Sequence, residues 1–588
     1  MSCPISKIRH SVARTSTLFM YAGAPSGLLS EPLNSSVPSS GKAAICQTAQ
    51  ISRRYNMQVS GVLKSARTTL LTAAVLAGTL AISATAEPKP GGTLNVTSIS
   101  KWRTLNSAVQ SGTATGLPAS QIFAGLLRVD EALQPQPYLA ESWSIAEDGL
   151  SVTFKLVEDA RFHDGELITS EDVKFSLLAS KTNHPFGMAM FGTVTDVATP
   201  DPQTAVFELS APTPSLLASL QPLFMPVLPS HVLDDGQELN THPRNNEDVV
   251  GSGPFKVASH VPGEKLELVR NDDYFIEGRP YLDKILYTRS RNTTTQVLEL
   301  DRGALDYYPV AFLSSQDFSR LKKNPELTVH QGGHGAMGPI FFLEYNLRKE
   351  PFDRLEVRQA LAHAIDKTRM VQILAGGDEE AITFIHKDNP FYSDDVPVYE
   401  FDLDKAAAML DEAGLTAGSD GIRFSFALEM PTWGRNRQTI IAETIKQTFK
   451  EIGVEVDIRT HPDFGSWVNR VTSFEYDATL NETLGYSDPV IGVHRSFLCS
   501  NIRPVIWSNT EGYCNEEVDK LLQLASTTYD MDERKDYYAQ FQKTVVEELA
   551  LTPMLVPSFW TVFSSDVKNI PLEGWGAYGP WDNVYLDR

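Results

Sequence analysis

The chain has 588 residues, with 51 Lys and Arg against 73 Asp and Glu, and its formal charge of −22 argues against a nucleic-acid partner. Hydrophobic residues make up 42% and charged residues 21%, the balance of a folded globular protein, and the length calls for two or more compact units. The four cysteines are too few for a disulfide scaffold and form no pair of CxxC clusters, so the signature of a structural zinc site is missing.

Residues 1–56 are rich in Ser, Ala, Gly and Arg, hold a single acid, Glu31, and show no sustained period; they read as an upstream extension outside the fold. Met57 then opens a basic segment with Lys64 and Arg67, followed by the apolar run Leu70 to Ile82 and the small residues Ala84-Thr85-Ala86. That order is a secretory signal peptide over residues 57–86, with translation expected to start at Met57. Ser52-Arg53-Arg54 lies too far ahead of the apolar run for a twin-arginine signal, and no cysteine adjoins the expected cleavage point. The apolar run is shorter than the roughly 20 residues a membrane span needs, so the mature chain is expected to be exported without a membrane anchor. Removal of residues 1–86 leaves a net charge of −29, read as a solvated acidic surface, and takes away Cys3 and Cys46. Cys499 and Cys514 are then the remaining thiols in an oxidising compartment, and a disulfide between them is expected.

From Gly91 to about Leu343 short alternating segments dominate, among them Val152-Thr-Phe154-Lys-Leu156 and Ala205-Val-Phe207-Glu-Leu209, separated by Pro, Gly and Asp-rich turns. From Pro351 onward helical periods appear. Val357, Ala360, Leu361, Ala364 and Ile365 recur at spacings of three and four behind a cap at Asp353, and Asp402 caps Lys405 to Ala413 with Gly414 as the stop. Ile440, Ile441, Ile445, Phe449 and Ile452 line another helix that Gly453 ends, and Val454-Glu-Val456-Asp-Ile458 alternates as a strand. The last 30 residues return to the strand-and-turn character of the first half. The expected division is therefore a first lobe over 87–343, a second over 344–555, and a return to the first over 556–588, with a ligand cleft between the lobes.

Catalytic patterns are scarce. Gly333-His-Gly335-Ala-Met-Gly338 matches GxGxxG, but Pro339 and an apolar run follow where a dinucleotide site needs a helix, so the glycines read as a flexible turn. GxxxxGK[ST], HExxH and GxSxG do not occur. His163-Asp-Gly165 reads as a hairpin turn, the acids are scattered, and the histidines offer no metal-ligand set. Neither metal nor cofactor is expected, and the chain is read as a non-enzyme.

Ala140-Glu-Ser-Trp-Ser-Ile-Ala-Glu-Asp-Gly-Leu-Ser-Val-Thr-Phe154, Arg161-Phe-His-Asp-Gly165 and Ser170-Glu-Asp-Val-Lys-Phe-Ser176 closely resemble bacterial extracytoplasmic solute-binding proteins of family 5, the peptide, opine and nickel type receptors of ABC importers. The resemblance continues in order through Gly251-Ser-Gly-Pro-Phe255, Arg270-Asn-Asp-Asp-Tyr274, Gly303-Ala-Leu-Asp306, Pro351-Phe-Asp, Val357-Arg-Gln-Ala-Leu361, Ala364-Ile-Asp366 and Tyr513-Cys-Asn-Glu-Glu-Val-Asp519. It implies an α/β protein of the two-lobed type II periplasmic binding-protein class, with an extra subdomain in the first lobe and the ligand in the interlobe cleft. It further implies a periplasmic receptor that captures a small peptide or peptide-like solute and delivers it to a membrane permease; a monomer is expected because the sequence shows no dimer-forming periodicity. An oligosaccharide or opine is the alternative ligand within the family; an exported hydrolase and a chaperone-like or signalling receptor are the alternatives outside it.

The resemblance also directs attention to ligand residues. Peptide receptors of the family hold the ligand amine with an Asp near a Gly-Trp…Asp-Pro segment. The matching segment here is Thr483-Leu-Gly485-Tyr486-Ser487-Asp488-Pro489, shortened and with Tyr for Trp, so Asp488 is either the amine anchor or a turn residue before Pro489. In Met430-Pro-Thr-Trp433-Gly-Arg435-Asn-Arg437, Arg435 and Arg437 open a helix and either meet an anionic ligand group or form a solvated pair. Trp433, Trp467 and Tyr486 either wall the cleft or belong to the core, and Gly335 to Met337 are expected to border it from the hinge side.

Overall fold

Alternation in Thr93–Ser98 buries Leu94 and Val96 completely and leaves Thr93 and Asn95 partly open, the mark of a strand with a core on one side. In the computed structural model, which describes residues 88–588 apart from 99–100, 291, 312, 333–334, 375 and 433–434, this strand sits in the middle of a seven-stranded sheet. The expectations for the leader and the signal segment lie outside the described residues. The sheet runs in the order Leu327–Gln331, Trp560–Ser564, Tyr307–Ala311, Thr93–Ser98, Lys284–Arg289, Lys265–Arg270, Phe255–Val261. The central strand is parallel to both neighbours, and the outer pairs are antiparallel.

A separate four-stranded antiparallel sheet, Ala140–Ile145, Ser151–Leu156, Thr204–Leu209 and Val194–Asp201, forms the extra subdomain of this lobe. The two segments with strict alternation are its centre: Val152 lies opposite Phe207 and Phe154 opposite Ala205, and the Phe154 and Phe207 rings stand 5.0 Å apart. The helix Ser170–Asn183 opens with a capping box between Thr169 and Asp172. His163 staples a turn rather than serving as a base: its Nδ1 accepts from the Gly251 N–H at 3.1 Å and its Nε2 lies 3.0 Å from the Gly253 carbonyl.

The second lobe is built on a six-stranded sheet in the order Glu379–Glu380, Leu551–Val556, Pro339–Tyr345, Ala478–Leu484, Phe424–Met430, Val454–Thr460. Its helices follow the apolar periods: Val357, Ala360 and Leu361 on Leu355–His363, and Ile441, Ile445 and Phe449 on Arg435–Glu451, lie in one core with Leu343 and Leu428. Asp402 caps its helix by accepting from the Lys405 N–H at 2.9 Å, and Gly414 and Gly453 take positive φ values of 78° and 75° at the helix stops. The cap expected at Asp353 is not made. Asp353 closes the preceding turn through its N–H to Lys349, and Arg354 stands at the helix start with its guanidinium on Glu356 and the Ala413 carbonyl.

The chain passes from the first sheet to the second through residues 332–338 and returns through 557–559. Beyond Trp560–Ser564 the tail stays with the first sheet: Trp581 is fully buried between Tyr287 and Tyr307, and Arg588 pairs with Asp306 at 2.7 Å. Cys499 and Cys514 are disulfide-bonded, as their isolation in the expected mature chain suggested. Among the described residues no helix is long and apolar enough to cross a membrane.

Candidate functional site

The strand Ala478–Leu484 ends where the second lobe meets the first, and its continuation has an unusual backbone. Tyr486 and Ser487 take positive φ values of 54° and 71°, a left-handed pair that turns the chain from the strand into the short helix Pro489–Gly492. Close approach fixes the far end of that turn: a Cβ on Gly492 would stand 1.6 Å from the Leu484 carbonyl oxygen. The turn is held against the outgoing crossing, since the Gly485 N–H donates to the Met337 carbonyl at 2.7 Å and the Ser487 N–H to the Ala336 carbonyl at 2.6 Å. Ala336 in turn donates to the Gly574 carbonyl in the C-terminal tail at 3.1 Å. Three segments distant in sequence thus meet at one point.

That turn drives the Tyr486 ring into an aromatic group from the first lobe. Phe186 lies 5.3 Å away, Phe224 meets it edge-on at 5.5 Å, and Trp575 stacks on it at 6.4 Å with the planes 22° apart. His184 packs edge-on against Phe186 and Phe224 at 5.2 and 5.9 Å. From the second lobe the Arg495 guanidinium lies 4.1 Å from the Phe186 ring centre. Burial lowers Arg495 to about 10 and His184 to about 3, and it raises the Tyr486 phenol. The cluster is therefore neutral at His184 and Tyr486 and cationic at Arg495, with Glu482 acting electrostatically on Tyr486 and Tyr578.

A second interlobe feature lies at the crossings. A cavity of about 830 Å³ is bordered by Gln331, Gly335 and Glu573 on one side and by His386, Lys387 and Ser558 on the other. Burial lowers the His386 pKa here.

The residues singled out in the sequence are distributed as follows. Tyr486 is at the centre of the interlobe cluster, and Met337 borders it through its carbonyl. Asp488 is buried, accepts from the Val490 N–H at 3.1 Å as the N-cap of Pro489–Gly492, and pairs with Arg534 at 2.9 and 3.1 Å. Arg437 forms a two-point pair with buried Asp378 at 2.7 and 2.8 Å and also donates to the Ser558 carbonyl at 3.2 Å, so it grips the returning crossing. Asp378 completes that grip by accepting the Ser558 N–H at 2.8 Å. Trp467 belongs to another cluster, with Val471 and Tyr476, and donates its indole N–H to Thr479 at 3.0 Å. Trp433 and the Arg435 side chain lie outside the described residues. Sequence reasoning missed Arg495, Trp575, Phe186, Phe224 and His184. None stands in a recognisable motif, and they come from separate segments: His184 and Phe186 follow the helix Ser170–Asn183, Phe224 follows Leu216–Ser219, Arg495 follows Pro489–Gly492, and Trp575 is in the tail.

Residues 134–503 match the family described as bacterial extracellular solute-binding proteins, family 5 Middle. The chain is 27% identical over 493 residues to the oligopeptide-binding protein AppA of Bacillus subtilis, which covers 80% of this chain and 87% of AppA. The structure of AppA in complex with a nonapeptide is similar with a TM-score of 0.74 at 25% identity, covering 85% of this chain and all of that one. AgaA of A. tumefaciens R10, in complex with agropinic acid, gives a TM-score of 0.71 at 26% identity over 84% of this chain and 99% of AgaA. Two lobes on separate sheets, a subdomain on the first, a double crossing between them and a match over more than half of the length lead to one conclusion: the chain belongs to the bacterial extracellular solute-binding proteins, family 5.

Proposed function

We propose that this protein is the periplasmic substrate-binding component of an ABC importer, which captures a small peptide or peptide-like solute between its lobes and delivers it to a membrane permease. The observation that carries the reading is the interlobe cluster, in which Phe186, Phe224 and Trp575 of one lobe face Tyr486 and Arg495 of the other. A ligand that touches both sides at once favours the closed arrangement by its differential affinity, and no bond needs to be made or broken. The first lobe is taken to end at the crossing 332–338 rather than at 343, since Pro339–Tyr345 belongs to the six-stranded sheet, and the chain returns to the first lobe after 557–559; the protein acts as an exported monomer without a cofactor. An opine is the second reading, favoured by the likeness to AgaA with agropinic acid and by the engagement of Asp488 with Arg534.

The test is a thermal-shift screen of the purified protein against di- to pentapeptides, opines and oligosaccharides. A ligand that binds only the folded state at 100 times its Kd stabilises it by about 2.7 kcal/mol and raises the transition temperature. A rise with peptides or opines, with the compound recovered unchanged, supports capture for transport. Chemical turnover of the retained compound overturns it.

A further inference from the structure

We propose that Lys367 is a reactive amine that forms a reversible imine with a small apolar aldehyde seated in a cavity of the second lobe. The cavity measures about 210 Å³ and shares no lining residue with the interlobe cluster or with the cavity at the crossings, so the proposal stands apart from capture for transport.

The backbone places the amine. Lys367 opens the helix Lys367–Leu374, and Ala381 follows the short strand Glu379–Glu380. The Ala381 N–H donates to the Met554 carbonyl at 3.0 Å, which fixes that residue against the strand Leu551–Val556. The Ala381 carbonyl in turn accepts from Lys367 Nζ at 2.8 Å and holds the amine at the cavity wall. Lys367 is half-buried, so the amine is screened from bulk water and still reachable. It forms no ion pair among the described residues, whereas Lys174, Lys349, Lys387 and Lys543 each sit on a carboxylate.

Desolvation disfavours the ammonium form, and so does its place at the positive end of a helix. Burial lowers Lys367 to about 8, and Glu380, which lines the same cavity, opposes that shift in part. The Glu380 carboxylate also accepts the Thr368 hydroxyl at 2.7 Å. The other ionisable groups nearby are engaged or stand on the wall. Tyr399 donates its phenol to the Val546 and Glu547 carbonyls at 3.3 and 3.4 Å, Asp366 accepts the Arg369 N–H at 2.9 Å, and Glu400 lines the cavity.

The remaining wall is apolar, with Ile365, Ile382, Val398, Phe401 and Val546. A desolvated, unprotonated lysine is a nucleophile for a carbonyl carbon, and the wall selects a carbonyl compound with a short apolar chain. The Nζ lone pair forms a C–N bond to the aldehyde carbon as the C=O π pair moves to oxygen, and one amine proton passes to that oxygen. The hydroxyl then leaves as water with the second amine proton, and the nitrogen lone pair closes the C=N bond. Amine and aldehyde give imine and water, with nothing oxidised or reduced, and water reverses the step.

The experiment treats the purified protein with butanal, traps the imine with cyanoborohydride, and reads each lysine by peptide mass spectrometry. At about pH 7.5 Lys367 is expected to be alkylated about tenfold faster than the exposed Lys387 and Lys543, because far more of it is free amine. The ratio of the two rates, in which the pH dependence of the trap cancels, stays level below about pH 8 and falls above it as Lys367 saturates. Glu380→Gln, at an exposed position, removes the acid that favours the ammonium and moves the start of that fall to lower pH. Val398→Trp, also exposed, narrows the cavity without touching the amine and lowers the ratio for butanal. The proposal is overturned if Lys367 reacts no faster than the surface lysines, or if the ratio does not fall above pH 8. It is equally overturned if glyceraldehyde, of similar size but polar, gives the same ratio as butanal, since the apolar wall then selects nothing.

Discussion

Asp488 illustrates how much a single side chain's meaning depends on where its partner comes from. Asp-Pro after a strand reads equally as a ligand anchor and as a helix cap, and the partner, Arg534, is 46 residues further on, on the helix Met531–Glu548. Both members of the pair are buried, and Arg534 also lies 4.4 Å from the Phe391 ring centre, so removing the acid strands a cation in an apolar setting. Asp488→Ala is therefore expected to lower folding stability by about 3 kcal/mol, read by urea denaturation, while Asp488→Asn, which keeps the cap on Val490, loses less. Arg437 carries the same lesson: its spacing on a helix start suited an anion site, yet Asp378 and the Ser558 backbone occupy it. Charge and local motif were visible at both positions. Long-range pairing was not, because no property of residues 437 or 488 alone specifies residues 378 or 534.

Elements were far more legible. The alternating segments at Val152 and Ala205, the periods on Val357 and Ile441, and the stops at Gly414 and Gly453 are local consequences of one-sided burial and of left-handed backbone, and they fell where the pattern put them. The cap at Asp353 moved because a turn between Lys349 and Asp353 competes for the same backbone. The disulfide was reached by elimination of other thiols, and its setting has a further role. The closed loop carries Thr510, whose hydroxyl donates to Glu344 at 2.6 Å; Tyr476 and Asn481 donate to the same carboxylate at 2.6 and 2.8 Å. The double replacement Cys499→Ser with Cys514→Ser is expected to lower stability by about 3 kcal/mol through the freed 15-residue loop, checked by denaturation with and without reductant, where the parent but not the variant responds.

On the scale of the whole molecule, burial of neutral histidines makes stability depend on pH. Burial lowers His163 to about 4 and His184 and His494 to about 3. Each folded value lies below the ordinary one near 6.5, so the unfolded chain binds the extra proton as the pH falls. The stability contribution is full above pH 6.5 and is lost progressively below it, down to the folded values. Glu344 and Glu511 act in the opposite sense, since burial raises both and the folded state gains from their protonation as the pH falls. A histidine-specific comparison separates the two: His163→Asn is expected to flatten the fall in unfolding free energy between pH 6 and 4.5 by about 1 kcal/mol per pH unit, read from urea midpoints across that range.

The two strands that flank the crossings, Leu327–Gln331 and Trp560–Ser564, are antiparallel neighbours, with Gln331 opposite Trp560. They are the two arms of a β-hairpin whose turn has been replaced by the whole of residues 332–559. Every strand of the seven-stranded sheet lies outside that segment and every strand of the six-stranded sheet lies inside it. The second lobe is in this sense a guest in a hairpin loop: the segment that carries it contributes no strand to the sheet of its host, so the host's hydrogen-bonded framework is complete without it.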